Sequence, residues 1–307
     1  MFNTSVFGPV PSRRLGFSLG VDLVPFKVCS LDCIYCQIGK TTCKTVARKE
    51  YVSCDKILSE LEKVLISSKT IDYITLSGSG EPTLNSKIGE IIREIKKMTA
   101  IPVAVLTNAT LLSDDALKKD LLLADLVVPS LDGATQGVFE KVNRPCASLK
   151  IEKIIRGMID FSKVYKGKIW LEIMLVKGIN DTEFELNALK VAVDKIKPDK
   201  IQLNTPVRPP SEEWVKTLSA SRLIKIKKFF GNKCEIIAKF TRKRHKAYLK
   251  DVEEEILTLI SRRPVTCKDM SSSLGLHINE VVKYVEDLEK QKKISSKIYQ
   301  GKRYFRK

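Results

Sequence analysis

The sequence predicts an α/β fold, a partial (βα)6 TIM-like barrel followed by a small C-terminal winged helix-turn-helix domain. Three observations lead there. Between residues 15 and 240, apolar β-branched runs alternate with longer amphipathic segments, the pattern of parallel βα units. Small and polar residues follow the apolar runs, where a barrel gathers its chemistry. After a basic stretch, the final residues carry a separate pattern of short helices and a hairpin.

Taken in order, strands are expected over 16–24, 71–77, 101–107, 124–130, 168–176 and 199–204. Helices are expected over 53–67, 86–98, 113–122, 148–163, 183–196 and 217–230. The strand ends run into Ser77-Gly78-Ser79-Gly80-Glu81-Pro82-Thr83, Thr107-Asn108-Ala109, Ser130-Leu131-Asp132-Gly133, Lys177-Gly178-Ile179-Asn180-Asp181 and Asn204-Thr205-Pro206. Turn chemistry alone also favours Gly, Asn and Asp at such places. The barrel is assigned to residues 1–240, a basic linker to 241–250 and the winged helix to 251–307. In the last unit, 252–261 reads as helix, Thr266 opens a short helix to Leu274, and Asn279 opens a longer one to Lys290. A hairpin over 294–306 turns at Gln300-Gly301.

Composition narrows the classes. At 307 residues with 43% hydrophobic content, the chain can build one large core and a small one. No apolar run approaches the twenty or so residues that span a bilayer. The N-terminus has no basic region followed by an apolar stretch, so a cytoplasmic protein is expected. The net charge of +18 is uneven: residues 221–307 hold 23 Lys and Arg against 10 Asp and Glu. A positive field there suits a polyanionic partner, most simply nucleic acid; a lysine-rich solvated surface is the plainer alternative.

Of eight cysteines, three stand together as Cys29-Ser-Leu-Asp-Cys33-Ile-Tyr-Cys36. Three thiolates so spaced can wrap one face of a cubane and leave one iron without a protein ligand. On spacing alone zinc is the alternative, with Cys43 as fourth ligand; the two histidines, His245 and His277, lie far away in sequence.

C-x3-C-x2-C with an aromatic residue before the last Cys, here Tyr35, resembles the signature of the radical S-adenosylmethionine (SAM) superfamily. Ser77 to Thr83 is similar to that family's glycine-rich strand end, and Ser130-Leu131-Asp132 to its ribose-binding strand end. The segment Phe7 to Asp22 together with Arg144-Pro145 resembles a narrower group of "Fe-S oxidoreductases" related to the wyosine (tRNA-modifying) synthetases. Those synthetases carry further N-terminal cysteines, and this chain has none before Cys29.

The resemblance implies a 4Fe-4S cluster on Cys29, Cys33 and Cys36, with SAM as the second cofactor. It implies reductive cleavage of SAM to methionine and a 5′-deoxyadenosyl radical that abstracts hydrogen from a substrate, fed by an external flavodoxin- or ferredoxin-type donor. No catalytic residue is assigned beyond the cluster. Tyr35 is expected near the adenine, Gly78, Gly80 and Glu81 at the methionyl end, Ser130 and Asp132 on the ribose, and Asn204 near the adenine. Arg13, Arg14, Arg144 and Arg208 are candidates for carboxylate or phosphate contacts, with ordinary ion pairing as the alternative.

In the C-terminal unit Lys283, Lys290, Lys292, Lys297, Lys302, Arg303 and Arg306 are candidates for nucleic-acid contact, with Tyr299, Tyr304 and Phe305 interleaved. Glu280, Glu286, Asp287 and Glu289 lie on the longer helix and would repel a DNA backbone, which favours RNA or a protein partner. RNA modification, probing tRNA first, is the leading expectation. The alternatives are modification or glycyl-radical activation of a protein or peptide, and a cluster-based nucleic-acid-binding regulator.

Overall fold

The computed structural model describes residues 4–67, 71–207, 210–237, 252–257, 259–260, 265–274, 276–299 and 302–306. The linker 241–250, Arg208 and the Gln300-Gly301 turn lie outside the described residues.

The β-branched runs become the strands of one sheet: β1 (Val6–Ser12), β2 (Gly16–Val21), then β5 (Tyr73–Leu76), β6 (Val103–Thr107), β7 (Leu126–Pro129), β8 (Lys168–Met174), β9 (Lys200–Asn204) and β10 (Cys234–Ile236). They lie side by side in that order. From β2 to β10 every neighbour is parallel. Only β1 is antiparallel, folded back on β2. A minor parallel pair, β3 (Val28–Cys29) and β4 (Cys43–Lys44), frames the cysteine loop. Two strands, β1 and β10, are thus added to the six predicted. The sequence hides β1 because Pro9 and Pro11 interrupt it, residues that only an edge strand tolerates. It hides β10 because three residues carry no period.

Helices cover the sheet: α1 (Cys54–Ser67), α2 (Ile88–Met98), α3 (Asp115–Leu121), α4 (Gln136–Asn143), α5 (Ile151–Val164), α6 (Glu183–Ile196) and α7 (Ala220–Phe230). Local chemistry sets their limits. Asp114 caps α3 by accepting from the amides of Ala116 and Leu117, at 2.8 and 3.3 Å. Thr182 caps α6, and Lys197 ends it in the left-handed conformation (φ 55°). In α2, Ile88, Ile91, Ile92 and Ile95 recur at helical spacing and are all fully buried, whereas Lys96 and Lys97 face water. That face joins Leu76, Val105 and Phe161 in the main core. Truncating Phe161 to Ala would cost about 3–5 kcal/mol.

The sheet curls strongly. Arg14, on the turn joining β1 to β2, reaches Glu172 on β8 at 2.6 Å and Gln202 on β9 at 3.3 Å. The C-terminal residues form helices over 252–257, Cys267–Leu274 and Ile278–Lys290, then a hairpin of β11 (Ser295–Tyr299) and β12 (Lys302–Arg306). They have their own core, built on Ile256, Met270, Val281, Val285, Leu288 and Phe305. No helix among the described residues is long and apolar enough to cross a membrane.

Candidate active site

The site gathers at the C-terminal ends of the parallel strands. Cys29 ends β3, and Cys33 and Cys36 follow in the loop, all three half-buried. The loop is held by backbone bonds that its sequence makes available: the Cys36 amide to Cys33 carbonyl (3.1 Å), the Asp32 amide to Asn143 carbonyl (2.9 Å) and the Ile34 amide to Val142 carbonyl (3.0 Å). Ile34 is fully buried and anchors it.

Each sulfur meets one side-chain N–H donor. Asn108 reaches Cys29 at 3.5 Å, Asn143 reaches Cys33 at 3.3 Å, and the Lys27 ammonium reaches Cys36 at 3.1 Å. Burial, then the Glu81 charge, push the Cys29 thiol up to about 12. Burial, then Asp132, push the Cys33 thiol upward too. Without a metal these thiols keep their protons, so metal binding must displace them. Asn108 stands directly after a predicted strand, the one legible signal for it. Lys27 and Asn143 were not singled out by sequence.

The glycine-rich segment lies against this loop. A Cβ at Gly80 would sit 2.0 Å from the Val28 carbonyl, and one at Gly78 (φ 155°) would sit 2.6 Å from the Asp22 carboxyl carbon. The backbone therefore passes closer to β3 than any side chain permits. Ser79 is buried between them, and among the described residues its hydroxyl has no hydrogen-bond partner. Glu81 caps the 3-10 turn Pro82–Leu84 and is 2% exposed. Its Oε1 accepts from the Thr83 amide (3.1 Å), the Thr83 hydroxyl (2.6 Å) and the Thr107 hydroxyl (2.6 Å), and its Oε2 from the Asn108 amide (2.7 Å). Burial outweighs these four bonds and moves its pKa up. Glu81 thus ties the end of β5 to the end of β6, with one acceptor position of Oε2 left over.

Asp132, after β7, is equally occupied. Its Oδ2 accepts from the Tyr35 hydroxyl and from Asn143 at 2.7 Å, and its Oδ1 from the Met174 amide at 2.9 Å. Burial raises its pKa to about 6 against those bonds. Tyr35 is thereby fixed between the cysteine loop and β7. Ser130, Asp132, Tyr35, Asn108 and Asn143 line one pocket, with Leu31 and Phe139 as its apolar walls. Asn204 lies apart from it, in the barrel interior. It accepts from Arg13 (3.2 Å) and the Thr205 amide (3.0 Å) and donates to Glu172 (2.8 Å). Burial would raise the Glu172 pKa, but the Arg14 guanidinium outweighs it and holds the carboxyl low. Arg144 sits at the surface, paired with Glu212 at 2.6 Å.

The predicted nucleic-acid residues divide. Lys290 pairs with Glu286 at 2.5 Å, and Arg303 with Glu289 at 2.8 Å. Lys283 is half-buried on the same helix. Lys292, Lys297, Lys302 and Arg306 are exposed. The register pairs Lys297 with Tyr304 and Ser295 with Arg306, so the period of two puts Lys297, Lys302, Tyr304 and Arg306 on one hairpin face. Phe305 points the other way into the core.

The donor chemistry fits an iron–sulfur group: three cysteines, each sulfur with a side-chain N–H nearby, beside an orphaned hydroxyl and a cradle that tolerates no Cβ. Among the described residues, no three or more His, Cys, Asp or Glu converge as a single metal ion would require. The model of the Radical SAM superfamily matches residues 23–190, taking in the cysteine loop, the glycine-rich segment and the Asp132 strand end.

The chain belongs to the radical SAM superfamily. It is therefore a radical SAM enzyme, with a 4Fe-4S cluster and S-adenosylmethionine as cofactors. A UPF0026 protein of Methanocaldococcus jannaschii is 36% identical over 269 residues, 85% of this chain and 83% of that one. A protein named GTPase Obg from Brachyspira hyodysenteriae is 40% identical over 299 residues, 96% of this chain; the chain spans only 44% of its length. Among solved structures, TYW1 with a lysine-pyruvate adduct bound superposes with a TM-score of 0.50 at 17% identity, covering 69% of this chain and 72% of that one. The superposition supports the α/β radical SAM fold with its parallel sheet.

Proposed function

We propose that this radical SAM enzyme modifies RNA, with tRNA as the first substrate class to try, and that its C-terminal residues 251–307 are a winged-helix unit that holds the RNA. The carrying observation is the hairpin face bearing Lys297, Lys302, Arg306 and Tyr304. Cations beside a half-buried aromatic suit phosphate contact and base stacking.

Groove reading by the unit's long helix is disfavoured. Ile278–Lys290 is buried on nearly every side, including Glu280, Val282 and Glu286. Its N-terminal residue His277 stacks on Phe7 of β1 at 3.8 Å and bonds Asp22 at 3.1 Å. A helix covered in this way does not enter a major groove. That weighs against operator DNA and leaves the hairpin as an accessible basic element among the described residues.

In this reading Cys29, Cys33 and Cys36 would hold the cluster, and Gly78, Ser79, Gly80, Tyr35 and the Ser130–Asp132 pocket would hold SAM. The bound cofactors supply one-electron cleavage of SAM. The chain's own residues fix the sulfurs, shape the backbone cradle and exclude water. Glu81 and Asp132 act here by holding strand ends in place. Asn204 orders the barrel interior with Arg13 and Glu172. An external flavodoxin- or ferredoxin-type donor supplies the electron, and the setting is cytoplasmic.

The test is anaerobic reconstitution with iron and sulfide, reduction, addition of SAM, and quantification of 5′-deoxyadenosine with and without bulk small RNA. Product that rises with RNA supports the reading. Product indifferent to RNA but raised by a protein extract would move the substrate to a protein or peptide.

A further inference from the structure

Lys27 is a lysine in an improbable place. It is 3% exposed, two residues before Cys29, in a left-handed backbone conformation (φ 59°). Side-chain amines are rarely buried without an anionic partner. Among the described residues no carboxylate forms an ion pair with it. Its neighbour is sulfur: Nζ lies 3.1 Å from Cys36 Sγ.

The backbone around Lys27 is tied on both sides. The Lys27 amide donates to the Ser79 carbonyl at 2.7 Å, tying it to the glycine-rich segment. Its carbonyl accepts from the Thr42 and Cys43 amides, each at 3.2 Å, tying it to the far side of the cysteine loop. The main chain of Lys27 is therefore held between the glycine-rich segment and the cysteine loop, with its Nζ beside the Cys36 sulfur.

We propose that Lys27 is a positioning and charge-compensating residue for the cluster: its ammonium donates to the Cys36 thiolate and makes the cluster easier to reduce. A cubane on three thiolates carries one net negative charge, and two after it accepts an electron. A fixed cation at hydrogen-bond distance favours the more negative state, and the dry surroundings screen it little. Asn108 and Asn143 donate to the other two sulfurs without charge, so this bias is lodged at Cys36 alone. The inference rests on the assignment of the three cysteines as ligands.

The test uses the full chain, reconstituted anaerobically, as wild type, Lys27→Met, Lys27→Gln and Lys27→Arg. Iron and sulfide per chain are measured first, then the midpoint potential by EPR-monitored titration without SAM, then SAM affinity by equilibrium dialysis. A wild-type chain without cluster would refute the cysteine assignment, a failure separate from that of Lys27. The expected result is a full cluster in the Met and Gln variants and a reduced-to-oxidised ratio at least tenfold lower at fixed potential, about 59 mV for one electron. Lys27→Arg should recover most of it. An unchanged potential with weakened SAM binding would overturn the proposal and place the ammonium on the SAM carboxylate. Loss of cluster from both Met and Gln variants, with circular dichroism unchanged, would also overturn it and leave Lys27 a fastening of the loop.

Discussion

The barrel mouth and the C-terminal unit handle charge in opposite ways. At the mouth, ionised groups are few and each is enclosed: Glu81 by four donors, Asp132 by three, Lys27 by sulfur. In the C-terminal unit charges are many. Those near the long helix neutralise one another, as Lys290 does with Glu286 and Arg303 with Glu289, while Lys297, Lys302 and Arg306 on the hairpin are exposed to water. The contrast matches the two roles proposed above. Enclosed charge fixes geometry for a small, demanding cofactor. Exposed charge on a rigid ribbon suits a large, forgiving polyanion.

The sharpest way to break this comparison is to remove a cysteine. Cys29→Ala, Cys33→Ala or Cys36→Ala should each reduce 5′-deoxyadenosine formation to background and lower bound iron, while RNA retention on filters stays unchanged. A drop in RNA retention would mean that the two regions are not independent. Next in size is the barrel interior. Arg14→Ala strands the buried Glu172 carboxylate and should cost about 3–5 kcal/mol in denaturant unfolding. The pair Arg14→Met with Glu172→Leu should recover most of it, since two apolar groups replace both charges.

A smaller effect concerns acidity. Asp132 titrates at about 6 in the folded chain and near 3.8 unfolded. Its protonation therefore stabilises the fold below 3.8, and that contribution is lost as pH rises through about 6. Across this window the cluster-free chain should lose roughly 3 kcal/mol from this one group. Asp132→Asn should flatten that part of the stability–pH curve. The smallest effect is on the ribbon: Lys297→Glu, Lys302→Glu or Arg306→Glu should each weaken RNA binding about tenfold and lower the salt slope by about 0.7 per lost contact, with iron content unaltered.

The parallel strands were legible because strands buried on both faces are written as unbroken β-branched runs. Val103–Thr107 and Leu126–Pro129 fall inside the predicted spans for that reason. α6, expected over 183–196, has the observed bounds Glu183–Ile196: Thr182 caps its start, and its end at Lys197 precedes Pro198, which cannot continue a helix. α4 was missed because Gln136–Asn143 buries only Phe139, Val142 and Asn143 and lacks a long apolar stripe. The cysteines announce themselves by spacing. The direction a carboxylate turns does not. Glu81 stands where a ligand contact would be expected, yet its oxygens are drawn inward by Thr83 and Thr107, residues no linear pattern connects to it. Lys27 was invisible for a like reason: nothing in the sequence says that a lysine will be folded under the loop.

An incomplete barrel has a problem that a closed one never meets, because its first and last strands offer open hydrogen-bonding rims to other chains. Here the antiparallel β1 forms one rim, and two of its seven residues, Pro9 and Pro11, have no amide hydrogen to offer. The Val6 amide is already taken by Glu60 at 3.2 Å. At the opposite rim, β10 is only three residues long. Among the described residues, both rims thus offer a foreign strand little ladder to pair with.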